Sequence, residues 1–152
     1  MDKLVKEYRF GFQVWGLVLF IGIMLPNFVW FAVPAPNDIL RGESVTEIAD
    51  IIRSVFQAVM IAALCLLKRT DCPKLRFSPF IVGAIACCIA YWSGWVLYYN
   101  GIADAVVVLM LTVPPCGAFL LFTLDRKNYI ASVPICGFTV CHLIYALANF
   151  IF

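Results

Sequence analysis

AVVVLMLTVPPCGAFLLFTL, residues 105–124, runs for 20 positions without a charged side chain. At about 1.5 Å per residue, a helix of that length spans about 30 Å, the hydrocarbon thickness of a bilayer. No water is available at that depth to satisfy an open backbone, so a continuous apolar run of this length reads as a membrane helix. Charge returns on both sides, at Asp104 and at the turn Asp125-Arg126-Lys127-Asn128. Outward from this stretch the same reading gives four more spans, at 10–33, 46–67 (apolar from 54), 78–99 and 129–152. The connections 34–45, 68–77, 100–104 and 125–128 are too short to fold alone. The expected architecture is therefore an all-α integral membrane bundle of five transmembrane helices, a single domain over residues 1–152. Composition agrees: 64% of the chain is hydrophobic and 13% charged, against roughly 45–50% and about 25% in soluble domains.

Charge orients the bundle. Lys3, Lys6, Arg9, Lys68, Arg69, Lys74, Arg76, Arg126 and Lys127 fall on one side of a five-pass chain, and only Arg41 and Arg53 on the other. The positive-inside rule then predicts a cytoplasmic N-terminus and an outer C-terminus. Trp30 and Phe31 in the first span, and Trp92, Trp95, Tyr98 and Tyr99 in the third, fall at the outer interface on this reading. The first apolar run passes well beyond the roughly 7–15 residues of a signal-peptide core and reads as a retained signal anchor. Basic residues at the inner face suit the lipid bilayer's anionic headgroups, and no nucleic-acid partner is expected. Arg41 reads as a solvated residue of the outer turn.

Within the helices, Leu25-Pro26-Asn27 predicts a kink at which Asn27 satisfies a freed backbone group. Ser44 and Glu47 have the spacing of a capping box, which would start the second helix near Val45. Glu47, Asp50, Arg53 and Gln57 recur at three, three and four residues and so form one polar stripe descending into the membrane. In the third helix Gly83, Ala86, Ala90 and Gly94 make a small-residue face, predicted to receive a second copy of the chain or a larger membrane partner.

An ionisable residue inside a bilayer is a functional candidate because its burial costs roughly 2.5–3.5 kcal/mol even on mild scales. Asp50 and Arg53 form an ion pair on the stripe, lining an outward vestibule with Gln57 or lying in the outer headgroup layer. His142 is the sole histidine, which leaves no histidine cluster for a metal or haem. It reads as a proton relay or as a neutral hydrogen-bonding link between helices, with Gln13, Asn27, Gln57, Thr112, Thr139 and Tyr145 as possible partners. Pro114-Pro115 reads either as a broken helix whose freed carbonyls line a site or as a packing kink. The candidate ligand or ion pathway is thus Asp50, Arg53, Gln57, Pro114, Pro115 and His142. The seven cysteines include no Cys-x-x-Cys and read as small apolar side chains. No phosphate loop, nucleophile elbow or zinc signature is present, and Asp71 and Asp125 are the only acids in the inner connections. No catalytic set and no cofactor are expected.

Leu25-Pro26-Asn27, Pro34-Ala35-Pro36-Asn37-Asp38, Lys127-Asn128-Tyr129-Ile130-Ala131 and the 134–142 stretch resemble an uncharacterised family of short bacterial multi-pass membrane proteins. The resemblance implies a bacterial inner membrane and no particular activity. Small multidrug transporters carry an acid in the middle of the first helix, where this chain has only Gln13 as a polar residue before Pro26. Quinone-linked thiol oxidoreductases need a Cys-x-x-Cys. The expected function is a small transporter-like or channel-like protein, or a membrane subunit of one, with the six candidates around a cavity. The alternative is a non-catalytic scaffold or regulatory membrane protein that docks a partner through its helices. The cavity reading requires Gln57 and His142 to face a common space rather than lipid.

Overall fold

A computed structural model describes residues 7–72 and 74–152; Lys3 and Lys6, used above for orientation, lie outside the described residues. The order is β1 (Tyr8–Phe10), α1 (Val14–Ala32), a 3-10 turn (Ile39–Arg41), α2 (Glu47–Leu66), β2 (Leu67–Arg69), α3 (Pro79–Tyr99), α4 (Ala105–Asp125) and α5 (Tyr129–Phe150). All five helices are long and apolar enough to cross a membrane. Large apolar side chains cover the outside, among them Val18, Val55, Ile89, Val113 and Val140, as expected of a surface that meets lipid rather than water. The chain is a multi-pass membrane protein.

A short sheet adds to the expected helices. Tyr8 pairs with Arg69, Arg9 with Lys68 and Phe10 with Leu67, antiparallel, and the pairing continues as Gly11 N donates to Leu66 O and Gln13 N to Cys65 O. These bonds draw residues 10–13 out of the first predicted span, which therefore becomes helical only at Val14. Three-residue strands are too short to show a period in sequence.

α3 packs along α4, and α2 along α5. A Cβ on Gly94 would lie 2.9 Å from the Met110 Cβ, and one on Gly83 would lie 3.0 Å from a Leu121 methyl. Much of the small-residue face expected to receive a partner is therefore taken by α4 of the same chain, whereas Ala86 is exposed. Where α1 meets α2, a Cβ on Gly16 would lie 2.7 Å from the Leu64 carbonyl oxygen. Backbone cannot yield as a side chain does, so Gly16→Ala should cost about 2 kcal/mol. Gly22 has nothing within 4 Å of such a Cβ, and Gly22→Ala should be neutral or stabilising by up to about 1 kcal/mol. Denaturant unfolding of the two variants in one detergent checks the contrast.

Proline is accommodated without a break. Pro26 has no N–H for the Gly22 carbonyl, and Trp92 Nε1 from α3 donates to that oxygen at 3.0 Å. Asn27 adds a bond from Nδ2 to Ile23 O at 3.2 Å. α4 likewise runs unbroken through Pro114 and Pro115, and α5 through Pro134. The expected capping box does not form: Thr46 is the N-cap of α2 and makes no side-chain cap bond. α5 supplies the partners instead, since Asn149 accepts from Val45 N at 2.7 Å and donates to Thr46 Oγ1 at 2.9 Å. At the opposite end of the bundle, buried Asn128 caps α5 by accepting from Ala131 N. Its Nδ2 reaches across to Ala63 O at 3.1 Å and Leu67 O at 2.9 Å, at the end of α2.

Candidate functional site

The helix faces that avoid lipid enclose a cavity of about 360 Å³ in the half of the bundle that holds the C-terminus. Every helix contributes. Asn27 and Trp30 come from α1, Arg53 and Gln57 from α2, Tyr91 and Trp95 from α3, Leu111 and Thr112 from α4, and Phe138, His142 and Tyr145 from α5, with Leu40 closing from the loop. Helical spacing explains the selection: Arg53 and Gln57 are four apart, and Phe138, His142 and Tyr145 are four and three apart, so each set shares one face.

Arg53 is the centre of the polar wall. Its Nη1 lies 3.3 Å from His142 Nδ1, its Nη2 lies 3.6 Å from Asp50 Oδ1, and its guanidinium carbon sits 4.0 Å from the centroid of the Tyr145 ring. An arginine nitrogen can only donate, so Nδ1 of His142 is the acceptor and the imidazole carries its proton on Nε2. Phe138 and Tyr145 flank that imidazole in stacked orientation, with centroids 5.0 and 6.4 Å away. Gln57, one turn below Arg53, lines the cavity and makes no hydrogen bond among the described residues, and its amide can both donate and accept. On the far wall Asn27 Nδ2 donates to the Tyr91 hydroxyl at 2.6 Å.

Of the six sequence candidates, the structure brings Arg53, Gln57 and His142 to one cavity wall. Asp50 holds Arg53 from behind and does not line the space. Pro114 and Pro115 are elsewhere, and α4 reaches the cavity one turn earlier through Leu111 and Thr112. Arg53 is not among the partners that the sequence suggests for His142. Four of the suggested six, Asn27, Gln57, Thr112 and Tyr145, line the same cavity, whereas Gln13 is near the other end with its amide 3.8 Å from Cys72 Sγ and Thr139 bonds within its own helix.

One cluster escapes a reading of the sequence. Asp38 accepts from Trp30 Nε1 at 2.9 Å, Tyr98 hydroxyl at 2.9 Å, Arg41 Nε at 2.8 Å and Ala35 N at 3.3 Å. The Tyr98 hydroxyl, on a fully buried ring, in turn accepts from Leu40 N at 3.1 Å. Arg41 is thus no free solvated residue: it is ion-paired to Asp38 and stacked 4.9 Å over Trp30. Burial opposes ionisation of Asp38, but the bonds from Trp30, Tyr98, Arg41 and the Ala35 amide together outweigh it and hold its pKa below the ordinary 3.8. The cluster ties the loop 34–41 to α1 and α3 and so sets Trp30 and Leu40 against the cavity.

The arrangement defines a multi-pass membrane protein with an aromatic cavity that carries one arginine. No family model matches the chain, and no match is found among curated proteins or solved structures. No group of three or more His, Cys, Asp or Glu side chains converges among the described residues.

Proposed function

We propose that this chain is a small transporter-like membrane protein whose cavity binds a solute within the bilayer. The observation that carries this reading is the convergence of Arg53, Gln57 and His142 from two helices on one cavity. Polar side chains inside a membrane face protein or water, and an amide left without a protein partner in such a space is a group awaiting one. The volume lies within the roughly 300–1,000 Å³ of small-molecule sites. A scaffold would present its polar stripe to a partner helix, whereas Arg53 and Gln57 turn inward. Basic residues at the end opposite the cavity support a cytoplasmic N-terminus and an outer C-terminus, and the short bacterial motifs support an inner membrane.

Access tests the proposal. In a variant with the seven cysteines replaced by alanine, Gln57→Cys in sealed vesicles should react with a charged, water-soluble methanethiosulfonate applied to either side. Val140→Cys, at an exposed apolar position of α5, should stay unreactive. Reaction from one side only would overturn transport and leave a binding site; none from either side would overturn the cavity reading.

A further inference from the structure

Resting on the reading of the cavity as a solute site, we infer that its ligand is a flat aromatic monocarboxylate, held by the Arg53 guanidinium and stacked among the surrounding rings. The donor count comes first. Arg53 carries five N–H groups; one bonds His142 at 3.3 Å, and the approach of Asp50 at 3.6 Å is longer than a hydrogen bond. The remaining donors, with the Nε2–H of His142 and the amide of Gln57, give this wall a surplus of donors. Such a surface selects an acceptor, and a planar carboxylate matches the guanidinium fork.

Charge and shape narrow the class. Among the described residues, Arg53 is the only formally charged side chain on the cavity wall. Asp50 behind Arg53 already offsets part of its charge, so the site tolerates one further negative charge at most, and a dianion would leave uncompensated charge in a medium where that is costly. Trp30, Trp95, Phe138, Tyr145 and Phe150 line the rest; rings pack against rings in offset or edge-on geometry and favour a flat partner over a flexible chain. About 360 Å³ suits one or two fused rings. Asp50 is the ligand's rival for the guanidinium, since both offer a carboxylate to the same nitrogens.

The test uses 2-naphthoate as probe, with 2-naphthamide and octanoate as comparators, on purified full-length protein in nanodiscs. Trp30 and Trp95 line the cavity, so occupancy is read from tryptophan fluorescence and confirmed by calorimetry. Naphthoate should saturate, with the amide and octanoate each about tenfold weaker or worse. Arg53→Gln should weaken naphthoate by about 10- to 100-fold, the scale of a lost charge-assisted bond. Asp50→Asn, which removes the rival and leaves the arginine, should tighten it severalfold, an outcome no loss of folding can imitate. Equal binding of acid and amide would overturn the anion assignment while leaving the cavity a site. Octanoate binding as tightly as naphthoate would overturn the flat ring, and no binding of any probe would overturn the ligand class. An unreactive Gln57→Cys variant in the vesicle assay would remove the site itself.

Discussion

Asp38→Ala should lower the stability of the detergent-solubilised protein by about 3 kcal/mol, because four donors lose a charged acceptor at once and each charge-assisted bond is worth roughly 1.5–3 kcal/mol before relaxation. The donors differ in what they do next. Arg41, with its side chain 42% exposed, turns to water at little cost. Tyr98 is fully buried and cannot, and the Trp30 indole is confined beside Trp95, with ring centroids 6.3 Å apart. Asp38→Asn keeps the shape but surrenders the charge and one acceptor oxygen, so its loss should be about half as large. Acid titration gives an independent check with a fixed sign. The folded pKa is below 3.8, so the carboxylate's contribution is complete above the unfolded value and is lost as the pH falls through the lower folded one. Wild-type unfolding midpoints should therefore drop at the acid end of that window more steeply than those of Asp38→Asn. A variant with unchanged midpoint and unchanged acid limb would show that the loop is not held by this carboxylate. Because Trp30 and Leu40 line the cavity, the same variant should also weaken ligand binding without touching the polar wall.

The reason Asp38 is illegible in the sequence is also the reason the five helices are not. A membrane span announces itself within 20 residues, since the bilayer must be crossed by one continuous apolar segment. The Asp38 cluster takes its donors from Trp30, Ala35, Arg41 and Tyr98, and the last lies 60 positions away. Nothing local in Pro34-Ala35-Pro36-Asn37-Asp38 distinguishes an aspartate in an ordinary turn from one that gathers a loop. The polar stripe is legible to the same limited extent. Spacing puts Asp50, Arg53 and Gln57 on one side of α2, but it takes the packing of α5 on α2 to place His142, 89 positions from Arg53, against the guanidinium. Periodicity names a face and leaves its neighbour unnamed.

The prolines show the converse error. By sequence, Pro26 leaves a carbonyl without its partner, and Asn27 is the residue that answers. Asn27 does bond the backbone, at Ile23 O, while the orphaned Gly22 oxygen is met by Trp92 from another helix. Pro114-Pro115 reads by sequence either as a broken helix or as a packing kink, and α4 stays continuous through both. A missing N–H is a property of the residue, but whether it opens the helix depends on the neighbours that pack around it. The β1–β2 pairing belongs to the same lesson, as Leu66 and Cys65 at the end of α2 supply carbonyls to Gly11 and Gln13 and delay the start of α1.

Asn128→Ala should be the most damaging single change at the end of the bundle remote from the cavity, at about 3 kcal/mol. The side chain performs two jobs that alanine leaves undone. Its oxygen accepts from Ala131 N and caps α5, worth about 1 kcal/mol. Its nitrogen donates to Ala63 O and Leu67 O, and losing two bonds in a site where the residue is 2% exposed costs about 1 kcal/mol each. Conservative replacements separate the jobs. Asn128→Ser can restore the cap alone and should recover about 1 kcal/mol. Asn128→Asp keeps the cap acceptor but faces two carbonyl oxygens with a carboxylate, so it should be no better than alanine despite being the nearer match in shape. Unfolding midpoints in one detergent, ranked wild type, Ser, then Ala and Asp together, are the expected result. A variant in which Asp equals wild type would mean that the nitrogen's bonds to α2 contribute nothing, and that at this end of the bundle α5 is held to α2 by apolar packing alone.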